Sequence, residues 1–222
     1  MANHLDLEEQ EQLDSIKHFW KQYGNVITWA LVLVLGVFAS WNFYQYWQRS
    51  QAAQASAMYD EVEKAALAGD LSKVDRAFTD MRDKFPGTAY AQQAGLLVAK
   101  ANFEAGKPDV AKSALTWVAD KSSDEGYQAT ARLRLAGILV ESKAYDEALK
   151  LLSSEYPGHF QALAADRKGD IYALQGKTAD AKAAYEVAYK GLDDRTEYRR
   201  LIEVKLNALG VSPQPADMEP KK

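Results

Sequence analysis

Asp166–Lys190 reads DRKGDIYALQGKTADAKAAYEVAYK, and it holds the clearest structural unit of the chain. Apolar and small residues recur at helical spacing on both sides of Gly176-Lys177-Thr178. Two helices joined by a tight turn follow from that pattern. Gly169, Ala181 and Ala188 are small and let the helices approach, while Tyr172 and Tyr185 fill the space around them.

Outward from this unit the pattern recurs. Turns of the same kind lie at Gly69-Asp70-Leu71, Gly106-Lys107-Pro108 and Lys143-Ala144-Tyr145. The four turns are offset by 37, 37 and 33 residues. Five residues after each turn start stands Val74, Ala111, Ala148 or Ala181, and four further on Phe78, Leu115, Leu152 or Tyr185. The period is close to the 34 residues of a tetratricopeptide repeat. The repeats are degenerate. Pro86 closes the first unit, the second lacks such a proline, and Pro157 comes early in the third. An irregular helical bundle is the competing reading.

A helix pair of this kind cannot bury its apolar face alone, so neighbours stack and the last unit needs a cover. Thr196 through Leu209 supplies it, with Thr196 as the cap and Leu201, Ile202, Leu206 and Leu209 as the buried face. Gly210 stops this helix, and Pro213, Pro215 and Pro220 keep the tail extended. The predicted fold is all-α: one N-terminal transmembrane helix followed by a tetratricopeptide-repeat-like α-solenoid. Its parts are an N-terminal tail (1–24), the span (25–44), a juxtamembrane helix (45–68), the repeats with a capping helix (69–210) and a flexible tail (211–222).

The span rests on Val26–Trp41, which carries no charge. Extended to Asn25 and Tyr44 it reaches the length needed to cross about 30 Å of hydrocarbon. Trp20, Tyr23 and Trp29 crowd one end, and Trp41, Tyr44, Tyr46 and Trp47 the other, as interfacial aromatics do. A soluble core helix would not gather four of the five tryptophans there. A cleavable signal peptide is opposed by the acidic 24-residue leader and by bulky Trp41, Phe43 and Tyr44 after the apolar run. Lys17 and Lys21 before the span, against Arg49 after it, favour a cytoplasmic N-terminus by a narrow margin. Gly36 and Ser40 form one small-xxx-small pair of the kind that lets two spans pack.

Residues 25–222 hold 25 basic and 26 acidic side chains. A near-neutral domain has no field to draw phosphate backbones, so nucleic acid is not an expected partner. Cysteine is absent, which removes disulfides and thiolate sites. His4, His18 and His159 are not spaced for a metal, and no phosphate loop, dinucleotide fingerprint or nucleophile elbow occurs. No catalytic residue, metal or cofactor is expected.

The expected site is a protein-binding wall built from the first helix of each unit. Aligning the units places Leu96, Lys100 and Phe103 on it from the second, Leu133, Gly137 and Val140 from the third, and Asp166 and Asp170 from the fourth. The alternative for Leu133 and Val140 is burial between helices. For Asp166 and Asp170, one turn apart, the ordinary reading is an exposed acidic stripe. An apolar middle with an acidic end would suit a partner segment carrying an apolar anchor and a basic flank.

The acidic tail, single anchor and degenerate repeats resemble the YfgM family, the ancillary subunits of the bacterial SecYEG translocon. The similarity is carried by Asp14-Ser-Ile-Lys-His-Phe-Trp-Lys-Gln-Tyr-Gly24, by Ala131-Arg-Leu-Arg-Leu-Ala136, and by Asp166-Arg-Lys-Gly-Asp170 with Gln175-Gly-Lys177. The resemblance implies a single-pass bacterial inner-membrane protein, N-terminus cytoplasmic and repeats periplasmic. It implies association with the SecYEG translocon and with a PpiD-like periplasmic chaperone, and a role in passing newly translocated proteins to periplasmic chaperones. A generic cell-envelope scaffold and a cytosol-facing import-type receptor share the same layout and remain alternatives.

Overall fold

Four turns share one backbone solution. Gly69, Gly106, Lys143 and Gly176 take φ of +71°, +73°, +61° and +72°. At each, that residue's amide returns to the carbonyl three back, and the next amide to the carbonyl five before itself. Gly176 reaches Ala173 and Lys177 reaches Tyr172, at 3.0 and 2.9 Å. This pair of hydrogen bonds closes the preceding helix and redirects the chain into the next.

The computed structural model describes residues 7–193 and 195–211. Among them are nine helices: α1 Leu7–Leu67, α2 Leu71–Lys84, α3 Ala89–Glu104, α4 Pro108–Lys121, α5 Glu125–Glu141, α6 Tyr145–Leu152, α7 Phe160–Leu174, α8 Thr178–Lys190 and α9 Glu197–Ala208. The fold is all-helical, with one candidate transmembrane helix at its N-terminal end. The extreme N-terminal residues 1–6 and the proline-rich tail from 212 lie outside the described residues.

Contacts divide the chain into two units, one up to Ala53 and one from Gln54. In the first, α1 carries the apolar run, and none of its most apolar stretch is buried. Its polar side chains turn onto the helix itself: Thr28 donates to the Gly24 carbonyl and Ser40 to that of Gly36, at 2.7 and 2.8 Å. An apolar helix without a protein partner on any side is what a lipid environment accepts and water does not.

The second unit is the repeat stack. Ala55, Val62 and Ala65 of α1 are core residues, so the last turns of α1 serve as the first helix of the first repeat. The pairs are then α1/α2, α3/α4, α5/α6 and α7/α8. The aligned positions behave as their spacing requires: Val74, Ala111, Ala148 and Ala181 are fully buried, and Phe78, Leu115, Leu152 and Tyr185 nearly so. Three apolar clusters follow one another along the stack, over α1–α5, α5–α7 and α7–α9. Asp70, Thr88 and Asp124 cap α2, α3 and α5, each accepting a backbone amide bond from the third residue on. Helix α6 is short because Ser153 and Ser154 end it ahead of Pro157, and Tyr156 fills the vacated core space.

Helix α9 differs from its expected detail. Ile202 and Leu206 are buried as foreseen, but Leu201 is exposed, and Tyr198 and Lys205 face inward instead. Thr196 holds the cap position without a side-chain cap bond. Gly210, with φ +78°, lies 34 residues after Gly176 and closes α9 in the same manner as the other turns. Helix α9 thus stands where the first helix of a further repeat would.

Candidate functional site

Helices α3 and α5 are the first helices of adjacent repeats, and between them lies a groove of about 430 Å³. Its floor is apolar: Ala99 and Phe103 from α3, Leu115 from α4, Ile138 from α5. Lys100, Arg134 and Glu141 stand on its walls, with Gly137 between them. Phe103 is half-buried, packed on the first core cluster while lining the groove. Lys100 Nζ is 3.8 Å from Glu104, and Arg134 donates to the Leu96 carbonyl at 3.5 Å; both contacts are long.

Of the eight wall residues read from the sequence, the structure brings Lys100, Phe103 and Gly137 together in this groove. Leu96 packs on the first core cluster beside it. Leu133 and Val140 pack on the second cluster, so they hold the α5–α7 stack together. The reason is geometric. A groove between two parallel helices is lined by one flank of the first and the opposite flank of the second. Repeat alignment maps like flanks onto like flanks, so it selected 133/137/140 on α5. The groove takes 134/137/138/141. Arg134, Ile138 and Glu141 were missed for that reason, and the rotation of about one residue was recoverable only from helix spacing taken across neighbours.

The acidic end of the wall is a correction. Asp166 is fully buried and Asp170 is half-buried, so there is no exposed acidic stripe. Lys205 of α9 bridges both carboxylates, its Nζ 2.7 Å from Asp166 Oδ1 and 2.7 Å from Asp170 Oδ1. The Tyr198 hydroxyl donates to Asp166 Oδ2 at 2.6 Å, and that of Tyr185 to Asp170 Oδ1 at 2.8 Å. Arg167 adds a contact to Asp170 at 3.7 Å. Burial, then the hydrogen bond each makes to its aspartate, pushes both tyrosine hydroxyls well above the usual phenol range. This is a closed ion pair that seats α9 on α7 and α8, and it leaves neither carboxylate for a partner. Among the described residues no group of acidic or histidine side chains is placed to hold a metal ion.

The geometry is therefore that of a stacked repeat domain with an apolar, charge-flanked groove between α3 and α5. The chain matches the family model described as a tetratricopeptide repeat-like domain over residues 17–211. The ancillary SecYEG translocon subunit of Neisseria gonorrhoeae is 34% identical over 210 residues, covering 94% of this chain and 100% of that protein. The protein of the same name from Haemophilus influenzae is 29% identical, covering 91% and 98%. That from Escherichia coli is 25% identical, covering 91% and 97%. No solved structure matches the chain. Full-length similarity of this order, over the anchor as well as the repeats, means that the chain belongs to the tetratricopeptide repeat-like family of ancillary SecYEG translocon subunits.

Proposed function

We propose that this protein is a non-catalytic, membrane-anchored accessory subunit of the SecYEG translocon. Its N-terminus is cytoplasmic, its repeats are periplasmic, and it binds protein partners through the α3–α5 groove. It helps newly translocated proteins pass to periplasmic chaperones, with a PpiD-like membrane-anchored chaperone as a second partner. The observation that carries this reading is the groove: an apolar floor around Phe103, open between α3 and α5 and flanked by Lys100, Arg134 and Glu141. The names of the relatives and the apolar, unburied run of α1 support the translocon and the membrane as its setting. A partly buried aromatic facing a protein groove is the kind of residue whose truncation costs about 2 kcal/mol or more of binding.

The test is co-purification with SecY after mild detergent extraction. Wild-type protein is expected to bring SecY down. Phe103→Ala is expected to bring down several-fold less, with helical content by circular dichroism unchanged. Absence of SecY from the wild-type eluate would refute the assignment. Topology is read separately by adding protease to spheroplasts, which should digest the repeat domain. Protection until the membrane is broken would favour the cytosol-facing receptor instead.

A further inference from the structure

Three glycines lie in the interior of the repeat-domain helices: Gly95, Gly137 and Gly169. Two are explained by packing. A Cβ on Gly95 would come within 2.5 Å of Val118 Cγ2, and one on Gly169 would meet the Tyr185 ring. These glycines let α3 close on α4 and α7 on α8. Gly137 is different, because a Cβ there would meet nothing within 4 Å. A glycine in mid-helix is less stable than alanine, so a packing or binding reason is usual for one. The stack supplies none for Gly137, and Gly137 lines the groove.

We infer that the groove over Gly137 receives the backbone of a partner peptide segment that carries an apolar side chain and, beside it, a carboxylate. This rests on reading the groove as the partner-binding site. The apolar side chain enters over Phe103, Leu115 and Ile138, which form the floor. The carboxylate is set by charge complementarity. Lys100 and Arg134 flank Gly137 from the two facing helices, and their contacts within the chain are long, 3.8 and 3.5 Å. Asp166 and Asp170, farther along the stack, are bridged by Lys205, so they do not extend the groove as an acidic wall. Glu104 and Glu141 stand at equivalent places near the ends of α3 and α5, 37 residues apart, Glu104 one turn beyond Lys100 and Glu141 about two turns beyond Arg134. The wall thus passes from cationic at Lys100 and Arg134 to anionic at the helix ends, and this gradient gives the segment a direction. A basic-flanked segment, and a neutral one held by the apolar floor alone, are the competing occupants.

The experiment uses the full chain in zwitterionic nanodiscs and fluorescein-labelled, end-blocked hexapeptides. Each has a central Leu-Phe pair flanked by Glu, Gln or Lys on either side, and binding is read by anisotropy against empty nanodiscs. The Glu-flanked peptide is expected to bind about fivefold tighter than the Gln-flanked one, with the Lys-flanked peptide weakest. Lys100→Glu with Arg134→Glu should reverse that order. Gly137→Leu sets its Cβ in open space and carries its side chain into the groove, and should weaken the Glu-flanked peptide tenfold or more without lowering the melting temperature. Equal affinities, no binding by any of the peptides, an order unchanged by charge reversal, or binding that survives Gly137→Leu would each overturn the inference. Co-purification of SecY that persists in the wild type alongside such a result would leave the translocon reading standing, whereas its loss would remove both.

Discussion

Replacing Lys205 by Met removes the one cation that bridges Asp166 and Asp170 while keeping most of the apolar stem in place. Asp166 is fully buried and would retain the Tyr198 hydroxyl, and Asp170 would retain that of Tyr185 and the 3.7 Å contact to Arg167. Two carboxylates one turn apart would then face each other, one of them in a dry site. Breaking a buried pair by removing one partner costs about 3–5 kcal/mol. Lys205 and Asp170 are 23% and 28% exposed, so water screens part of the effect and the lower end, about 3 kcal/mol, applies. For a domain of this size that lowers the melting temperature by roughly 6–12 °C. The assay is thermal and urea unfolding of the fragment from Gln54, followed by circular dichroism, closed as a double-mutant cycle with Asp166→Asn. Neutralising Asp166 removes the buried charge, so the double variant should lose at least about 1.5 kcal/mol less than the sum of the single ones. A loss below about 1 kcal/mol for Lys205→Met, as for an exposed ion pair, or strict additivity in the cycle, would refute the view that this pair seats α9.

The glycines offer a matched comparison. Gly169→Ala should destabilise by about 1–3 kcal/mol because its methyl collides with the Tyr185 ring, whereas Gly137→Ala should stabilise by about 0.5–1 kcal/mol, both read from urea midpoints. Lys143 is the non-glycine residue with positive φ among those described, and Lys143→Gly should raise stability by about 0.5 kcal/mol, since relief of the left-handed strain slightly exceeds the added chain entropy; an unchanged or lower midpoint would contradict this. Alkaline pH should weaken the domain. Tyr185 and Tyr198 hold their protons above the pH at which they ionise in the unfolded chain, so their contribution is fully present below about pH 10 and is lost as pH rises beyond it. Urea midpoints between pH 9 and 11 should fall, and fall less in Tyr198→Phe; a flat or rising profile would rule the effect out.

Much of this protein is legible in its local chemistry. The period of the turns, the small residues five positions past them and the bulky ones four further on are properties of neighbouring residues, and each is where the stack needs it. The charge-free run and its aromatic borders are local in the same sense. The groove was half legible: Lys100, Phe103 and Gly137 were found because they lie on the flanks that repeat alignment compares.

What lay beyond the sequence was everything that depends on one helix meeting another out of register. Which flank of α5 faces α3 is set by the packing of two parallel helices, and no internal comparison of repeats contains it. Asp166 and Asp170 read as an exposed stripe because charged residues on a helix usually are one; their partner Lys205 is 39 and 35 residues away. The helices, their pairing and their order follow from short-range spacing and backbone preference, and these are written along the chain. Which polar side chains are buried, and how the α3–α5 groove is lined, depends on what a distant segment brings to the same place, and that is a property of the packed fold alone.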